Sequence, residues 1–369
     1  MRFRIIKAYF KKEIIELVRT KMIFMPYLIP LLIVILFGYG IKTQVIGARI
    51  LIIDNDKTTI SHILISKFEH SKYFNTEVKD ISEKEALSSI KKASKDVIII
   101  IPESFEKNII KGTNSEIGIF VDASFPTRAT TIYNYVQATI LDLAQDIMIN
   151  SDALITLNNR NLFNQALRDE EMIVPGLLGL VLLINPAVLT ALFITKEKEK
   201  GTIFNFYSSS ITKAEFLLSK LSSLFVLISL NVFFLFLVVM YVFNLPFRGD
   251  FFLYWLSSEI YIIISLGMGL LVSIISSTQI IAVILALLFT IIPGFLYSGM
   301  LMPISSMSGE AYYIAHLYPV MYYNHIIYDV FLIGQGFDSP KIISYLFLLI
   351  AYAVAFFILG MFFLKKEIK

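Results

Sequence analysis

The sequence predicts an α-helical integral membrane protein of six transmembrane helices, with an extracytoplasmic α/β domain inserted after the first. Three observations carry this reading. Of the 369 residues 56% are hydrophobic and the mean hydropathy is +0.72, more apolar surface than one soluble core can bury. The apolar residues gather into six runs, each of about the 20 residues a bilayer requires. Residues 42–171 differ in kind, with fifteen Lys or Arg and eighteen Asp or Glu among regular short apolar stretches. The net charge of +3 is small and distributed by segment, which gives nucleic acid no basic patch to bind. The absence of cysteine excludes disulfides, thiolate metal sites and a thiol nucleophile.

Residues 1–21 place Arg2, Arg4, Lys7, Lys11, Lys12, Arg19 and Lys21 around a helical stripe of Phe3, Ile6, Phe10, Ile14 and Leu17. That is the pattern of a cytosolic helix lying in the membrane interface. The run 22–41 is long for a signal peptide and lacks a small-residue cleavage site, so it reads as an uncleaved first span. Within 42–171, strands are expected at 49–53, near 76–78, at 97–101 and at 117–121. Helices are expected at 58–70, from Ser82 to about Ser94, ending at Gly112, and from Pro126 through the region of Leu157. Ser82 with Glu85 makes a capping box, and Pro102 stops the third strand. Strands alternating with helices favour an α/β sandwich on a mixed or parallel sheet. Asp54 and Asp56 at a strand end suit either phosphoryl chemistry or a turn that caps the next helix; without a partner set, the turn is the simpler reading.

The remaining part, 172–369, holds five further runs, at 173–194, 221–243, 251–275, 280–302 and 342–364, each able to cross about 30 Å at 1.5 Å per residue. Segments 1–21, 195–220 and 365–369 hold fifteen Lys or Arg, against Arg248 and Lys341 in the short loops opposite. By the positive-inside rule both termini and 195–220 are cytosolic, and 42–171 is outside, in a multi-pass protein of the cytoplasmic membrane. The 195–220 insert packs Lys196, Glu197, Lys198, Glu199 and Lys200 against the end of a span, then breaks at Gly201-Thr202. Thr202 before Ile203, Phe204, Phe206 and Tyr207 suits the cap of a short amphipathic helix able to dock on a partner. A plain membrane-flanking charge run explains the composition equally well. Residues 303–341 are too apolar and aromatic for an ordinary loop; they read as an outer re-entrant helical pair or as an interfacial loop held by Tyr, two readings that differ in depth.

No P-loop, H-E-x-x-H or G-x-S-x-G motif occurs, and His62, His70, His316 and His325 lack ligand spacing, so no catalytic, cofactor or metal site is expected on this chain. Glu259 is the acidic residue inside an apolar span, which marks either a functional group or a hydrogen bond to a neighbouring helix. Gly267, Gly269 and Ser273 on the same span suit close helix packing.

Over nearly its whole length the chain resembles the permease subunits of type-2 ABC exporters, the ABC-2 transporter family, in the branch with a large extracytoplasmic domain after the first span. The stretches that carry this are Lys12-Glu13 with Arg19, ARILIIDND at 48–56, VIIIIPESF at 97–105, Val121-Asp122, Val174-Pro175-Gly176, EKEKGT at 197–202, LYSGMLMPISSM at 296–307, Tyr318-Pro319 and Gly334. Ser209-Ser210 stands where many relatives have Ser-Pro. The resemblance implies coupling to an ATPase through Glu197, Glu199, Gly201, Thr202, Phe204 and Phe206, and a gate at Tyr297, Ser298, Gly299 and Pro303, with Glu259 a further pathway candidate. It also implies a second permease copy, identical or not, ATP and Mg bound on a separate ABC ATPase subunit, contact with membrane lipid and an envelope adaptor as a further partner. The expected cargo is an amphiphilic drug-like or lipid-like molecule, since the spans offer an almost uncharged path. A non-transporting receptor or tether, whose external domain binds a ligand or envelope partner, is the alternative; it has no need of a docking insert or a semi-apolar outer loop.

Overall fold

The amphipathic first residues form helix α1 (Phe3–Arg19), and the next apolar run forms α2 (Met25–Gly40). The structure, a computed structural model, describes every residue except 1–2, 20–23, 43, 93, 114, 150–167, 205–210 and 365–369. Two compact units emerge, one of Met1–Ile41 with Asn161–Lys369 and one of Lys42–Arg160.

In the smaller unit the β-branched runs become β1 (Ala48–Asp54), β2 (Phe74–Val78), β3 (Val97–Ile101) and β4 (Gly118–Val121). Between and after them lie α3 (Thr59–Glu69), α4 (Glu83–Lys91), α5 (Phe105–Ile110) and α6 (Pro126–Ile149). The sheet order is β2-β1-β3-β4, with β1 parallel to β2 and β3, and β4 an antiparallel edge. Helices cover both faces. Ile50, Ile52 and Ile99 pack with α3, α5 and α6 on one side, while Leu51, Ile53 and Ile98 pack with Ala86 of α4 on the other. Burial on both faces is why β1 and β3 are continuous aliphatic runs. The Ser82–Glu85 capping box forms as expected. The part of the expected long helix beyond Ile149 lies outside the described residues.

Turn chemistry accounts for the acidic pair. Asp54 Oδ1 accepts the backbone N–H groups of Asp56 and Lys57, both at 3.0 Å, and its Oδ2 accepts the Ser61 hydroxyl at 2.8 Å. Asp56 accepts the Glu106 N–H at 2.9 Å and so caps α5. Asp96, at the start of β3, accepts the side chain and backbone N–H of Arg49 and a guanidinium N–H of Arg128. Burial alone would raise its carboxyl, but these donors outweigh burial and hold it below the usual range. A depressed folded value means that the stabilisation is present above the ordinary carboxylate range and is lost as pH falls through the folded value. In Asp96→Asn, the drop in thermal unfolding midpoint between pH 7 and pH 3 is therefore expected to be smaller than in the parent; an identical drop would separate Asp96 from acid sensitivity.

The larger unit is built around α7 (Asp169–Glu199), the most buried of the apolar helices. It packs against α2, α9 (Phe251–Ile275), α10 (Gln279–Leu296) and α12 (Pro319–Tyr328), with α8 (Lys213–Tyr241) and α13 (Pro340–Phe363) further out. Among the described residues α7, α8, α9, α10 and α13 are long and apolar enough to cross a membrane, and α2 is a shorter apolar helix. Within α2, Pro30 has no N–H to give the Pro26 carbonyl, and Asn185 of α7 donates to that carbonyl instead, at 3.0 Å. The apolar run expected to continue to 302 leaves the helix at Leu296. Met302 is apolar, but Gly299 adopts φ +80° and the Ser298 hydroxyl takes the Met300 N–H, so the chain turns there.

Residues 303–341 hold α11 (Glu310–Leu317), α12 and a π-helical turn at Asp329–Ile333, with a corner at Tyr318-Pro319. A helix end leaves carbonyls without donors. Here Tyr322 donates to the His316 carbonyl at 2.8 Å and Tyr352 to the Leu317 carbonyl at 2.9 Å. Tyr352 lies at the middle of α13, so the corner sits level with that midpoint. The Tyr323 ring of α12 stacks on Tyr261 of α9, with centroids 4.1 Å apart.

Candidate functional site

The charged run that ends α7 binds the neighbouring helices together. Successive helical residues point about 100° apart, so four in a row reach four different neighbours. Lys196 Nζ lies 3.2 Å from Glu16 Oε1 on α1. Glu197 Oε1 takes the Lys220 ammonium of α8 at 2.6 Å, with Lys12 of α1 at 3.7 Å. Lys198 donates to the carbonyls of Ser273 and Ile274 in the last turn of α9, at 2.5 and 3.1 Å. Glu199 accepts the backbone N–H of Gln279 at 3.2 Å and its side-chain amide at 2.7 Å, at the first turn of α10. The last two contacts set a cation against a helix C-terminus and an anion against an N-terminus, each the favourable sign for the dipole.

Lys220 is the centre of this hub. It is 2% exposed and also reaches Glu13 Oε2 of α1 at 3.3 Å, so one ammonium joins α1, α7 and α8. Its position follows from the start of α8, where Thr212 accepts the Glu215 N–H and Glu215 accepts the Thr212 N–H in a capping box. The rings of Phe193 and Phe216 lie 5.1 and 5.8 Å from the ammonium. Around this centre the charges of α1 and α7 favour one another's ionised forms. Burial pulls the Lys12 ammonium down, but Glu13 and Glu197 more than offset it; burial pushes the Glu16 carboxyl up, but Lys196 more than offsets it.

The residues expected to meet a partner are therefore divided. Glu197 is turned inward, with 14% of its side chain exposed, and Glu199 is exposed but holds α10. Gly201 turns the chain at φ +71°, and the Thr202 hydroxyl donates to the Glu197 carbonyl at 3.4 Å, closing the last turn of α7. Phe204 is 52% exposed beyond that turn. Phe206 lies outside the described residues. Lys220, Glu16 and Gln279 are not singled out by the sequence, and nothing along the chain assigns contacts to Glu13 and Lys198. The available signal was Lys220 itself, a lone cation that sits where α8 becomes apolar.

At the other end of the unit, Ser298, Gly299 and Pro303 line a cavity of about 380 Å³ together with Tyr312, His316 and Tyr345. Tyr297 packs instead against the main core. Glu259 is apart from that cavity; its Oε1 accepts the Ser229 hydroxyl of α8 at 2.5 Å, and its Oε2 has no hydrogen-bond partner among the described residues.

Comparison with known proteins matches residues 20–362 to the family model described as ABC-2 family transporter protein. The chain is similar to the probable multidrug ABC transporter permease YbhS of Escherichia coli strain K12, 27% identical over 371 residues, covering 99% of this chain and 97% of that one. It is similar to the probable multidrug ABC transporter permease YbhR of the same organism, at 23% identity over 334 residues with 89% and 90% covered. The inner membrane transport permease YhhJ, also from that strain, is 24% identical over 334 residues, with 87% and 86% covered.

Proposed function

The chain belongs to the ABC-2 transporter family, and from that premise we propose that it is the permease subunit of an ATP-driven exporter. In this reading α2, α7, α8, α9, α10 and α13 are its six spans, both termini and 195–220 are cytosolic, and 42–171 is extracytoplasmic. The hairpin of α11 and α12 is re-entrant, and the level of its corner against α13 supports that. ATP and Mg bind a separate ATPase subunit, because this sequence has no P-loop. Two permease copies pair, and the cargo is an amphiphilic small molecule, a reading supported by the multidrug names of the relatives.

The observation that carries the proposal is the hub. A subunit without nucleotide chemistry receives free energy through contact, and a push on the turn at 200–204 displaces the end of α7, to which α1, α8, α9 and α10 are tied. Purification in mild detergent is expected to bring down a P-loop ATPase, and inverted membrane vesicles are expected to accumulate cargo only with ATP. Reproducible absence of an ATPase would favour a tether instead. The orientation has its own test. A reporter active only outside the cytosol should work when fused at Lys92 or Gly309 and fail at Ser210; the reverse pattern would invert the topology.

A further inference from the structure

We infer that a cavity beside the hub binds a phosphate-bearing anion, supplied by the headgroup of an anionic phospholipid. The cavity has a volume of about 420 Å³ and lies between α1, the end of α7 and the start of α8. Four lysines line it, Lys12, Lys196, Lys200 and Lys220, together with Glu16 and Glu197. Glu16 is engaged by Lys196 at 3.2 Å and Glu197 by Lys220 at 2.6 Å, and Lys12 is shared between Glu13 at 3.3 Å and Glu197 at 3.7 Å, which leaves Lys200 as the excess positive charge. Lys12 keeps 54% of its side chain exposed even though it lies 3.3 Å from Glu13, and Lys200 is exposed at the end of α7. Thr202 also lines the cavity, while Tyr9 and Phe193 give it an aromatic wall.

This chemistry fits a phospholipid better than a nucleotide or a protein. The cavity joins an amphipathic helix to the polar end of an apolar one, which is the depth at which headgroups lie, and basic pockets between helices on the cytosolic side attract anionic headgroups. An aromatic wall beside a cationic rim suits a molecule that is charged at one end and apolar at the other. The proposed orientation matters here only in deciding which leaflet supplies the lipid, and the reporter fusions test it separately.

The test titrates dioleoylphosphatidylglycerol, dioleoylphosphatidylcholine or sodium phosphate into the detergent-purified full chain and follows the thermal unfolding midpoint. Phosphatidylglycerol is expected to raise the midpoint where phosphatidylcholine does not, with apparent affinity about fivefold weaker for each lysine removed in Lys200→Gln and Lys12→Gln/Lys200→Gln. Lys84→Gln, which removes the same charge from α4, should leave the response unchanged. If sodium phosphate reproduces the shift and the lysine variants lose it, the site holds and its source is free phosphate. A response that is unchanged in both lysine variants overturns the inference and leaves only annular lipid. Unchanged lipid response with loss of the co-purifying ATPase also overturns it, and assigns the cavity to a protein partner.

Discussion

Lys220→Met is expected to unfold the hub, lowering stability by about 3–5 kcal/mol, because it removes the buried cation that Glu13 and Glu197 share and leaves them only the half-exposed Lys12. The midpoint of thermal unfolding in mild detergent and the yield of folded chain would report the loss. Replacing all three groups, in Glu13→Gln/Glu197→Gln/Lys220→Met, should recover most of that stability, since buried neutral groups escape the cost of an unpaired charge. Export by the triple variant should nevertheless stay low, because α1 and α8 are no longer tied to the end of α7. Parental stability in the single variant would mean that water already screens the pair. Parental export in the triple variant would remove the hub from force transmission.

The second large effect is expected at Gly269. A Cβ there would lie 2.2 Å from the Ala187 carbonyl oxygen and 2.8 Å from Thr190 Cβ, so α9 and α7 touch through their backbones. A helix carbonyl cannot rotate away as a side chain does. Gly269→Val should therefore force the helices apart at a cost of about 1–3 kcal/mol, and Gly267→Val should do the same against Phe356 of α13, whose Cβ would be 2.7 Å away. Gly40→Ala, with nothing within 4 Å, is the matched control. If the unfolding midpoint of Gly269→Val matched that control, the close approach of α7 and α9 would be wrong.

These two glycines mark the boundary between what is local in the chain and what is not. Their small size on one span marked close packing, yet residues two apart on a helix face nearly opposite ways, and only the packed structure assigns one to α7 and the other to α13. Similarly, Glu259 announced itself by its charge, while its bond to Ser229 depends on how α8 and α9 align. The Tyr residues of 303–341 were legible as aromatic anchors. Their use as donors to the open carbonyls of a helix corner was not, because a hydroxyl's partner is set by a helix far away in sequence.

The class of this protein is set along the chain. Run length and hydropathy act locally, through the need of each segment to satisfy its own backbone in lipid, and strand periodicity and capping boxes act within a few residues. The apolar helices, the strands and capping box of the α/β unit, and the family motifs could thus be read along the chain. What the charged run at the end of α7 does depends instead on which helices meet it in the folded unit. Lys196, Glu197, Lys198 and Glu199 look alike as flanking charges or as a docking face, because the sequence gives the direction of each side chain around the helix but not what stands there. Lys220 and Glu13 lie 207 residues apart, and the balance between desolvation and pairing that keeps them buried exists only once α1, α7 and α8 have met.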